Sequence, residues 1–192
     1  MARPSREAEI LDAALACFAE RGYDATRVRH IAERAGVSEA ALYRHHPSKE
    51  AVAFALFATH MARYSDLLRS VADDTVNSIE ERIKGLVHVS YDALHSDPVG
   101  LLFVLGHQAR FLSALPPDFP YPIRIVDQLV AEGQDDGTVK AGPVRVLSAL
   151  VVGCLNHPAF IAQHAARGTI DLEDPDTVDL IADGAWAAIA EP

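Results

Sequence analysis

Two clusters of basic and imidazole side chains stand in the first fifty residues of the chain. Guanidinium and ammonium groups that gather on one surface can bind phosphate, which is the chemistry of nucleic-acid recognition. A solvated charged helix face is the other interpretation, and most charge clusters are of that kind. The members of the two clusters are Arg27, Arg29, His30 and Arg34, and then Arg44, His45, His46 and Lys49.

The histidines and cysteines do not form a pattern that is typical of metal sites. His88 and His95 are seven residues apart, as are His157 and His164, which puts the members of each pair about 10 Å apart along a helix axis. That separation is too large for one ion. The two cysteines show no metal-ligand spacing either, so we predict no metal and no cofactor.

The net charge is −10, which taken whole argues against nucleic acid as a partner. Residues 1–50 carry eight basic and eight acidic side chains, whereas residues 51–192 carry nine and nineteen. The acidic excess therefore lies entirely in the second part. Because the local field decides whether a surface meets phosphate, the first fifty residues keep the possibility of DNA binding.

Composition narrows the class of protein further. An apolar fraction of 49% excludes a disordered chain, and two cysteines exclude a disulfide scaffold and fit a reducing cytosol. The longest apolar run, residues 144–155, contains Arg145 and Ser148 and is shorter than the ~20 residues that a membrane helix needs. The N-terminus has no apolar signal region. We expect a cytoplasmic protein without a membrane partner.

Apolar residues recur at three- and four-residue spacing almost throughout, and no segment alternates as a strand does. Ser5, Thr26 and Ser38 are predicted N-caps, and Gly22 and Gly36 are predicted helix ends. The pattern predicts an all-α fold of about nine helices. Their approximate ranges are 6–21, 27–35, 39–45, 49–71, 79–96, 99–114, 123–133, 143–167 and 175 onward.

The second and third predicted helices are short and are joined by Ala35-Gly36-Val37-Ser38. Gly36 can adopt the positive φ that this turn requires, and Val37 can fill the angle between the helices. Such a pair is a helix-turn-helix, whose second helix can enter the DNA major groove.

The run from Gly22 to Glu50 resembles the DNA-binding segment of the TetR family of transcriptional regulators. The resemblance covers about residues 6–52 and rests on Ile-Ala-x-x-Ala-Gly-Val-Ser, then Leu42-Tyr43, then Ser48-Lys49-Glu50, in the family's order and spacing. The chain departs from the pattern at His46, where the family often has Phe, at Arg27, where it often has Thr or Ser, and at Ala40 and Ala41, where it often has Gly, Thr or Pro.

On the third helix, a rotation of 100° per residue points Ala40, Tyr43 and Arg44 away from Leu42. Arg44 can pair with guanine or phosphate, and the small Ala40 and Ala41 allow close backbone approach. By resemblance, Tyr43 donates its hydroxyl to phosphate. Thr26 and Ser38 can cap and also reach phosphate, and His45 either contacts DNA or makes a partly buried hydrogen bond. The predicted DNA-binding residues are Thr26, Arg27, Arg29, Ser38, Ala40, Ala41, Tyr43, Arg44, His45 and Lys49.

The resemblance implies a three-helix DNA-binding domain at residues 1–52 and a helical ligand-binding and dimerisation domain at residues 53–192. Core packing is the alternative role for each candidate there. Candidate effector ligands are His88, Tyr91, Phe103, His107, Phe111, Phe119, Tyr121, Asn156 and Phe160. Candidate dimer contacts, from two apolar helices that could form a four-helix interface, are Leu150, Gly153, Cys154, Ile161, Ile181, Ala185 and Trp186.

We therefore predict a ligand-responsive regulator, usually a repressor, that binds a palindromic DNA operator as a homodimer and is released by a small-molecule effector. The alternatives are a small helical enzyme that uses a His/Asp site and a helical interaction module. The sequence contains no nucleophile elbow, P-loop, dinucleotide-binding fingerprint or HExxH motif, so we expect no enzymatic activity.

Overall fold

The computed structural model describes residues 5–164 and 170–192. The described residues form nine α-helices and one short 3-10 helix, which confirms the predicted all-α class. The predicted end of the eighth helix at Arg167 lies outside the described residues. The helices are α1 Arg6–Arg21, α2 Val28–Arg34, α3 Glu39–His45, α4 Lys49–Ala72, α5 Ile79–Ser96, α6 Pro98–Phe111, α7 Pro122–Asp135, α8 Val144–His164 and α9 Pro175–Ala187, with the 3-10 helix at Leu112–Ala114.

Local chemistry explains the ends of the first three helices. The Ser5 hydroxyl accepts the Ala8 N–H at 3.2 Å at the start of α1, and Ser38 accepts the Ala41 N–H at 3.1 Å at the start of α3. Gly22 and Gly36 end α1 and α2 with φ of 77° and 65°, a region that glycine enters without a steric penalty. The predicted cap of α2 is wrong, because Arg27 and not Thr26 occupies the N-cap position.

The described residues form two compact units. The head unit contains residues 5–61 and 99–117, and the body unit contains the described parts of 62–98 and 118–192. The predicted division at residues 52 and 53 differs from these units because most of α6 packs with the N-terminal helices. In the full sequence, residues 1–61 and 99–117 carry a net charge of +1, and residues 62–98 and 118–192 carry a net charge of −11.

The head unit has a continuous apolar core. Leu42 of α3 and Ile31 of α2 are fully buried, as is Ile10 of α1. Aromatic side chains of α4 and α6 complete this core, with the Phe57 and Phe111 ring centres 5.6 Å apart. The core thus holds α2 and α3 in fixed positions, as a binding surface requires.

The body unit is built around α5, which packs against α7, α8 and α9. Its core includes Leu86, Ile125, Leu129 and Val151, each at most 1% exposed. The buried Arg82 guanidinium donates to the Ala72 carbonyl oxygen and pairs with Glu132 at 2.8 Å. These contacts hold the end of α4 and the last turn of α7 against α5.

The helix α8 is unusually apolar for a helix with so little of its surface covered. Its segment Val144–Ala162 is long and apolar enough, on length and composition alone, to cross a membrane, with a mean hydropathy of 1.5. Only 28% of that stretch is buried. A core helix of a protein that spans no membrane passes the same test, so the finding is weak evidence for a span.

Candidate nucleic-acid interface

The third helix presents one face to the core and the opposite face to solvent. Leu42 is 0% exposed, whereas Tyr43 is 47% exposed and Arg44 lies on the surface beside it. Because successive residues turn by 100°, burial of Leu42 fixes the direction of both neighbours. The Val37 N–H donates to the Ala32 carbonyl oxygen at 2.9 Å and closes the turn before α3.

Most of the predicted DNA-binding residues lie where a duplex could reach them. Ala41 is partly buried and supplies the N–H that Ser38 caps. The capping bond uses a lone pair of the Ser38 hydroxyl and leaves its proton free to donate. The exposed members are Arg27, Arg29, Ser38, Ala40, Tyr43, Arg44 and His45. Contact of these residues with DNA stays a prediction.

Thr26 does not fit the predicted phosphate-contacting role. Its side chain is 1% exposed, and its hydroxyl lies 2.8 Å from the Gly22 carbonyl oxygen and 3.0 Å from that of Cys17. The single hydroxyl proton is therefore used inside the protein. Thr26 fastens the loop before α2 to the end of α1.

Lys49 is also committed inside the protein. Its ammonium donates to the carbonyl oxygens of Tyr23 at 2.8 Å and Thr26 at 2.9 Å, with that of Asp24 at 3.4 Å. The same ammonium lies 4.3 Å from the centre of the Tyr23 ring. An ammonium has three donors, and three carbonyl oxygens surround this one. Lys49, predicted as a DNA-binding residue, is better described as a cross-link between α4 and the α1–α2 loop.

His30 belongs to this surface although sequence reasoning left it out of the predicted site. Its Nδ1 accepts the Arg27 N–H at 3.2 Å at the start of α2, and the Arg29 Nε lies 3.5 Å from its Nε2 and is directed to donate to it. Loss of hydration, and then the charges of Arg21, Arg29 and Arg27, lower the pKa of His30. The imidazole thus lies among the guanidinium groups of this surface. His30 follows Arg27 by three residues, and this spacing could have predicted its contact with the start of α2 from the sequence.

His46, the C-cap residue of α3, is buried. It is 5% exposed, and its Nε2 has no hydrogen-bond partner among the described residues. Glu7 Oε1 lies 3.9 Å from that nitrogen. Burial lowers the pKa of His46, although the charge of Glu7 acts in the opposite direction. A buried polar nitrogen without a partner costs free energy, so the histidine weakens packing at a position where the family often has Phe.

Three predicted effector ligands belong to the head core instead. Phe103 is 7% exposed and stacks on Phe18 with ring centres 5.6 Å apart, and Phe111 is 3% exposed. His107 lies between these two α6 side chains, with its ring centre 4.2 Å from that of Phe103 and 5.9 Å from that of Tyr23. Their apolar surface is used for packing α6 within the head unit. This placement corrects the prediction for these three residues.

The other predicted effector ligands are spread over the body unit. His88 and Tyr91 line one cleft, described below. Tyr91 is 5% exposed and its hydroxyl lies 3.1 Å from the Leu155 carbonyl oxygen; burial, above all, raises its pKa. The remaining candidates are not among the residues that line this cleft. They are Phe119, Tyr121 and Asn156, which are partly buried, and Phe160, which is 54% exposed.

The predicted dimer contacts divide between surface and core. Leu150 is 44% exposed and Gly153 is exposed, but Ala185 is 0% exposed and lies in the body core, so its side chain cannot reach a partner. Sequence reasoning missed Val146 and Leu180, which are 56% and 73% exposed. The partly buried predicted contacts are Cys154, Ile161, Ile181 and Trp186.

The N-terminal segment matches a known family. The sequence model described as "Bacterial regulatory proteins, tetR family" matches residues 10–56. KstR2, an HTH-type transcriptional repressor of Mycobacterium tuberculosis, is 35% identical over 117 residues, which are 61% of this chain and 57% of KstR2. FasR, an HTH-type transcriptional activator of Mycolicibacterium smegmatis, is 32% identical over 98 residues, which are 51% of this chain and 44% of FasR. The chain thus spans about half the length of these curated relatives.

Solved structures extend the similarity to the whole fold. A TetR family transcription regulator from Marinobacter aquaeolei VT8 has a TM-score of 0.77 at 20% identity, over 97% of this chain and 96% of that chain. The structure of KstR2 of Mycobacterium tuberculosis has a TM-score of 0.67 at 23% identity, over 100% and 98%. The matched segment, residues 10–56, is thus similar to the DNA-binding part of the tetR family of bacterial regulatory proteins, and the solved structures show that the whole chain shares the fold of such regulators.

Proposed function

We propose that this protein is a transcriptional regulator that binds duplex DNA through α3. The observation that carries the proposal is the outward face of α3, where Tyr43 and Arg44 stand exposed beside a fully buried Leu42. An arginine on a short helix that follows a tight turn can reach the O6 and N7 atoms of guanine in the major groove. The tyrosine hydroxyl can donate to phosphate, which positions the helix without reading sequence.

The distribution of charge supports the same surface. The head segments carry +1 and the body segments −11, so phosphate is attracted only to the head. Arg27 and Arg29 at the start of α2 lie exposed on this unit. Because the acidic body repels DNA, we expect weak non-specific affinity and a strong dependence on the few cations of the interface.

We infer a homodimer on a palindromic operator from the uncovered apolar face of α8 and α9. Val146, Leu150 and Phe160 follow helical spacing on α8 and are each more than two-fifths exposed, and Leu180 is exposed on α9. Apart from the adjacent residues and nearby backbone of their own helices, no atom of the described residues lies within 4 Å of where a Cβ would stand at Gly153 or Gly184, so another helix could approach closely there. Two helices from each copy would then form a four-helix interface. A two-fold dimer matches DNA half-sites that are about 34 Å apart.

Response to a small-molecule effector is the proposed way in which this regulator is switched. The helices α4 and α6 both contain residues of the head and of the body, so each can transmit a change in the body to the DNA-binding surface. Arg110 of α6 lies 4.5 Å from the centre of the Tyr23 ring and 3.1 Å from Glu50. An effector that favours a DNA-incompetent state would release the operator by a shift in population.

Repression is the proposed direction of regulation because relatives named KstR2, at 34–35% identity, are named as repressors. The relative named as an activator is less similar, at 32% identity. We place the protein in the cytoplasm, where its DNA is, and propose no catalytic activity, since the relatives are named as regulators.

The test is selection of bound duplexes from a random pool by the purified full chain, followed by titration of the enriched sequence against a scrambled duplex. We expect a palindromic consensus and an affinity that exceeds that for the scrambled duplex by about a thousandfold or more at ~0.15 M salt. Equal affinity for the two duplexes would overturn the proposal and leave an interaction module as the better interpretation.

A further inference from the structure

A cleft of about 290 Å³ opens on the body unit between α5 and the segment that leads into α9. Three polar side chains on one face of α5 line it, namely His88, Asp92 and His95. They follow one another at spacings of four and three residues, which places them along a single helix face. Beneath them lies the buried Tyr91, whose hydroxyl is already bonded to backbone carbonyl oxygens.

The opposite wall of the cleft is mainly apolar. Leu172, Pro175 and Val178 supply this wall, and Glu173 adds one carboxylate. Val178 is 8% exposed, so its side chain forms part of the floor rather than the rim. Apolar walls with a few polar groups are typical of sites for small organic ligands, and this volume is at the small end of such sites.

The charges around the cleft favour one sign of ligand. Asp92 has no hydrogen-bond or ion-pair partner within the described part of the chain. Glu173 and Asp179 lie 3.6 and 3.3 Å from the ring nitrogens of His95 and His88. The three carboxylates of Asp92, Glu173 and Asp179 thus outnumber the two imidazoles at the cleft. The body segments add a net charge of −11, which opposes an anion and attracts a cation.

We propose that this cleft binds a small organic cation, an ammonium with a short apolar chain. The ammonium faces the carboxylates of Asp92 and Glu173, and the chain covers Leu172 and Val178. Charge complementarity selects the head group, because an alcohol of the same length lacks the attraction and a carboxylate is repelled. The apolar wall selects an organic cation over a hydrated metal ion, since no carboxylate cluster with metal-ligand geometry occurs among the described residues.

Three probes with the same chain test the head group, namely n-hexylammonium, 1-hexanol and hexanoate. We expect calorimetric titration of the full chain at about pH 8 and ~0.15 M salt to show one n-hexylammonium site per protomer. Hexanol is expected to bind about tenfold more weakly, which corresponds to one charge-assisted contact of about 1.4 kcal/mol, and hexanoate not at all. Equal binding of hexanol and hexylammonium would overturn the proposal, as would absence of hexylammonium binding.

Matched variants locate the site. Asp92→Asn and Glu173→Gln each remove one charge from the cleft, and we expect each to weaken hexylammonium binding about tenfold. Leu172→Trp fills the cleft and abolishes binding. Asp66→Asn removes an exposed carboxylate elsewhere on the body unit and is expected to change nothing. If Asp66→Asn weakened binding as much as Asp92→Asn, the interaction would be general attraction to an acidic protein and the site would be refuted.

This experiment contains no DNA. Its failure would leave the proposed regulator standing, and failure of the DNA selection would leave the cation site standing. A thermal midpoint for each variant that equals that of the unchanged protein shows that loss of binding arises in the cleft and not from unfolding.

Discussion

The ammonium of Lys49 lies 4.3 Å from the centre of the Tyr23 ring and donates to the carbonyl oxygen of that same residue at 2.8 Å. Lys49 thereby fixes both the ring and the backbone of Tyr23. The guanidinium carbon of Arg110 lies 4.5 Å from the same ring centre, so one tyrosine contacts cations from α4 and from α6. Cation–π contacts and charge-assisted hydrogen bonds together hold the α1–α2 loop in place.

Lys49→Met tests whether this lysine is a structural cross-link or a phosphate contact. The substitution keeps most of the apolar stem and removes the ammonium, which leaves the carbonyl oxygens of Tyr23 and Thr26 without a donor. We expect a loss of about 2 kcal/mol of stability, measured as a lower thermal midpoint. The slope of log affinity against log salt concentration for DNA is expected to stay unchanged, because no phosphate contact is lost. A smaller salt slope with an unchanged thermal midpoint would show instead that Lys49 contacts phosphate.

Arg44→Ala is expected to weaken operator binding by about ten- to a hundredfold and to relax preference at one base position, as loss of a guanine contact does. The exposed position of Arg44 predicts an unchanged thermal midpoint. Titration of the enriched duplex and of its single-base variants measures both effects. The exposed Arg63 on α4 of the body unit offers a comparison, since Arg63→Ala removes the same charge from a different helix. Equal losses for the two variants would mean that only net charge matters.

Tyr43→Phe removes a single hydroxyl from the same face. If that hydroxyl donates to phosphate, affinity falls by about tenfold for every duplex, specific or scrambled. The ratio between the two affinities stays constant. A change in that ratio would assign Tyr43 to base recognition instead.

His46→Phe should stabilise the head unit, and by more at acid pH. Burial holds the pKa of His46 below its ordinary value, so the unfolded chain takes up a proton near pH 6.5 that the folded chain resists. Stability is therefore lost as pH falls through the ordinary histidine range. Phenylalanine removes that pH-dependent penalty. It also removes a buried nitrogen that has no hydrogen-bond partner among the described residues, which we expect to stabilise the head unit by about 1 kcal/mol at any pH.

The comparison of thermal midpoints at about pH 5.5 and pH 8 separates the two effects of His46→Phe. We expect the variant to have a higher thermal midpoint than the unchanged protein at both pH values, with the larger difference at the lower pH. His45→Gln, at an exposed neighbour, controls for loss of an imidazole as such. A gap that does not depend on pH would show that His46 titrates alike in the folded and unfolded chain.

Leu180→Asp tests the proposed dimer. Leu180 is 73% exposed on α9, and in a symmetric interface the change occurs twice. Loss of about 2 kcal/mol for each leucine weakens dimerisation by roughly a thousandfold. Light scattering after gel filtration measures the mass, and binding to a full palindrome should fall with it. Val76→Asp places the same charge at a side chain that is 94% exposed, in the break between α4 and α5, and should leave the dimer intact.

The sequence alone predicted the features that depend on near neighbours. Ser5, Ser38 and Gly22 mark helix ends because caps and positive φ are local properties. The burial of Leu42 and the outward direction of Arg44 follow from helical rotation. The nine helices and the helix-turn-helix were predictable for the same reason, with the cap of α2 as the exception.

Only the tertiary structure decided which partner covers each side chain. Thr26 and Lys49 have residue types suited to phosphate, yet carbonyl oxygens brought close by folding use their donors. The pattern of Phe103, His107 and Phe111 showed an apolar helix face but not that Phe18 and Tyr23 would cover it. Ala185 and Leu180 are both apolar residues of α9. Packing of α9 against α5 and α8 buries Ala185 and leaves Leu180 exposed. The spacing of apolar residues along a helix predicts which face of that helix is apolar. Which side chains pack on that face depends on contacts between residues that are distant in sequence.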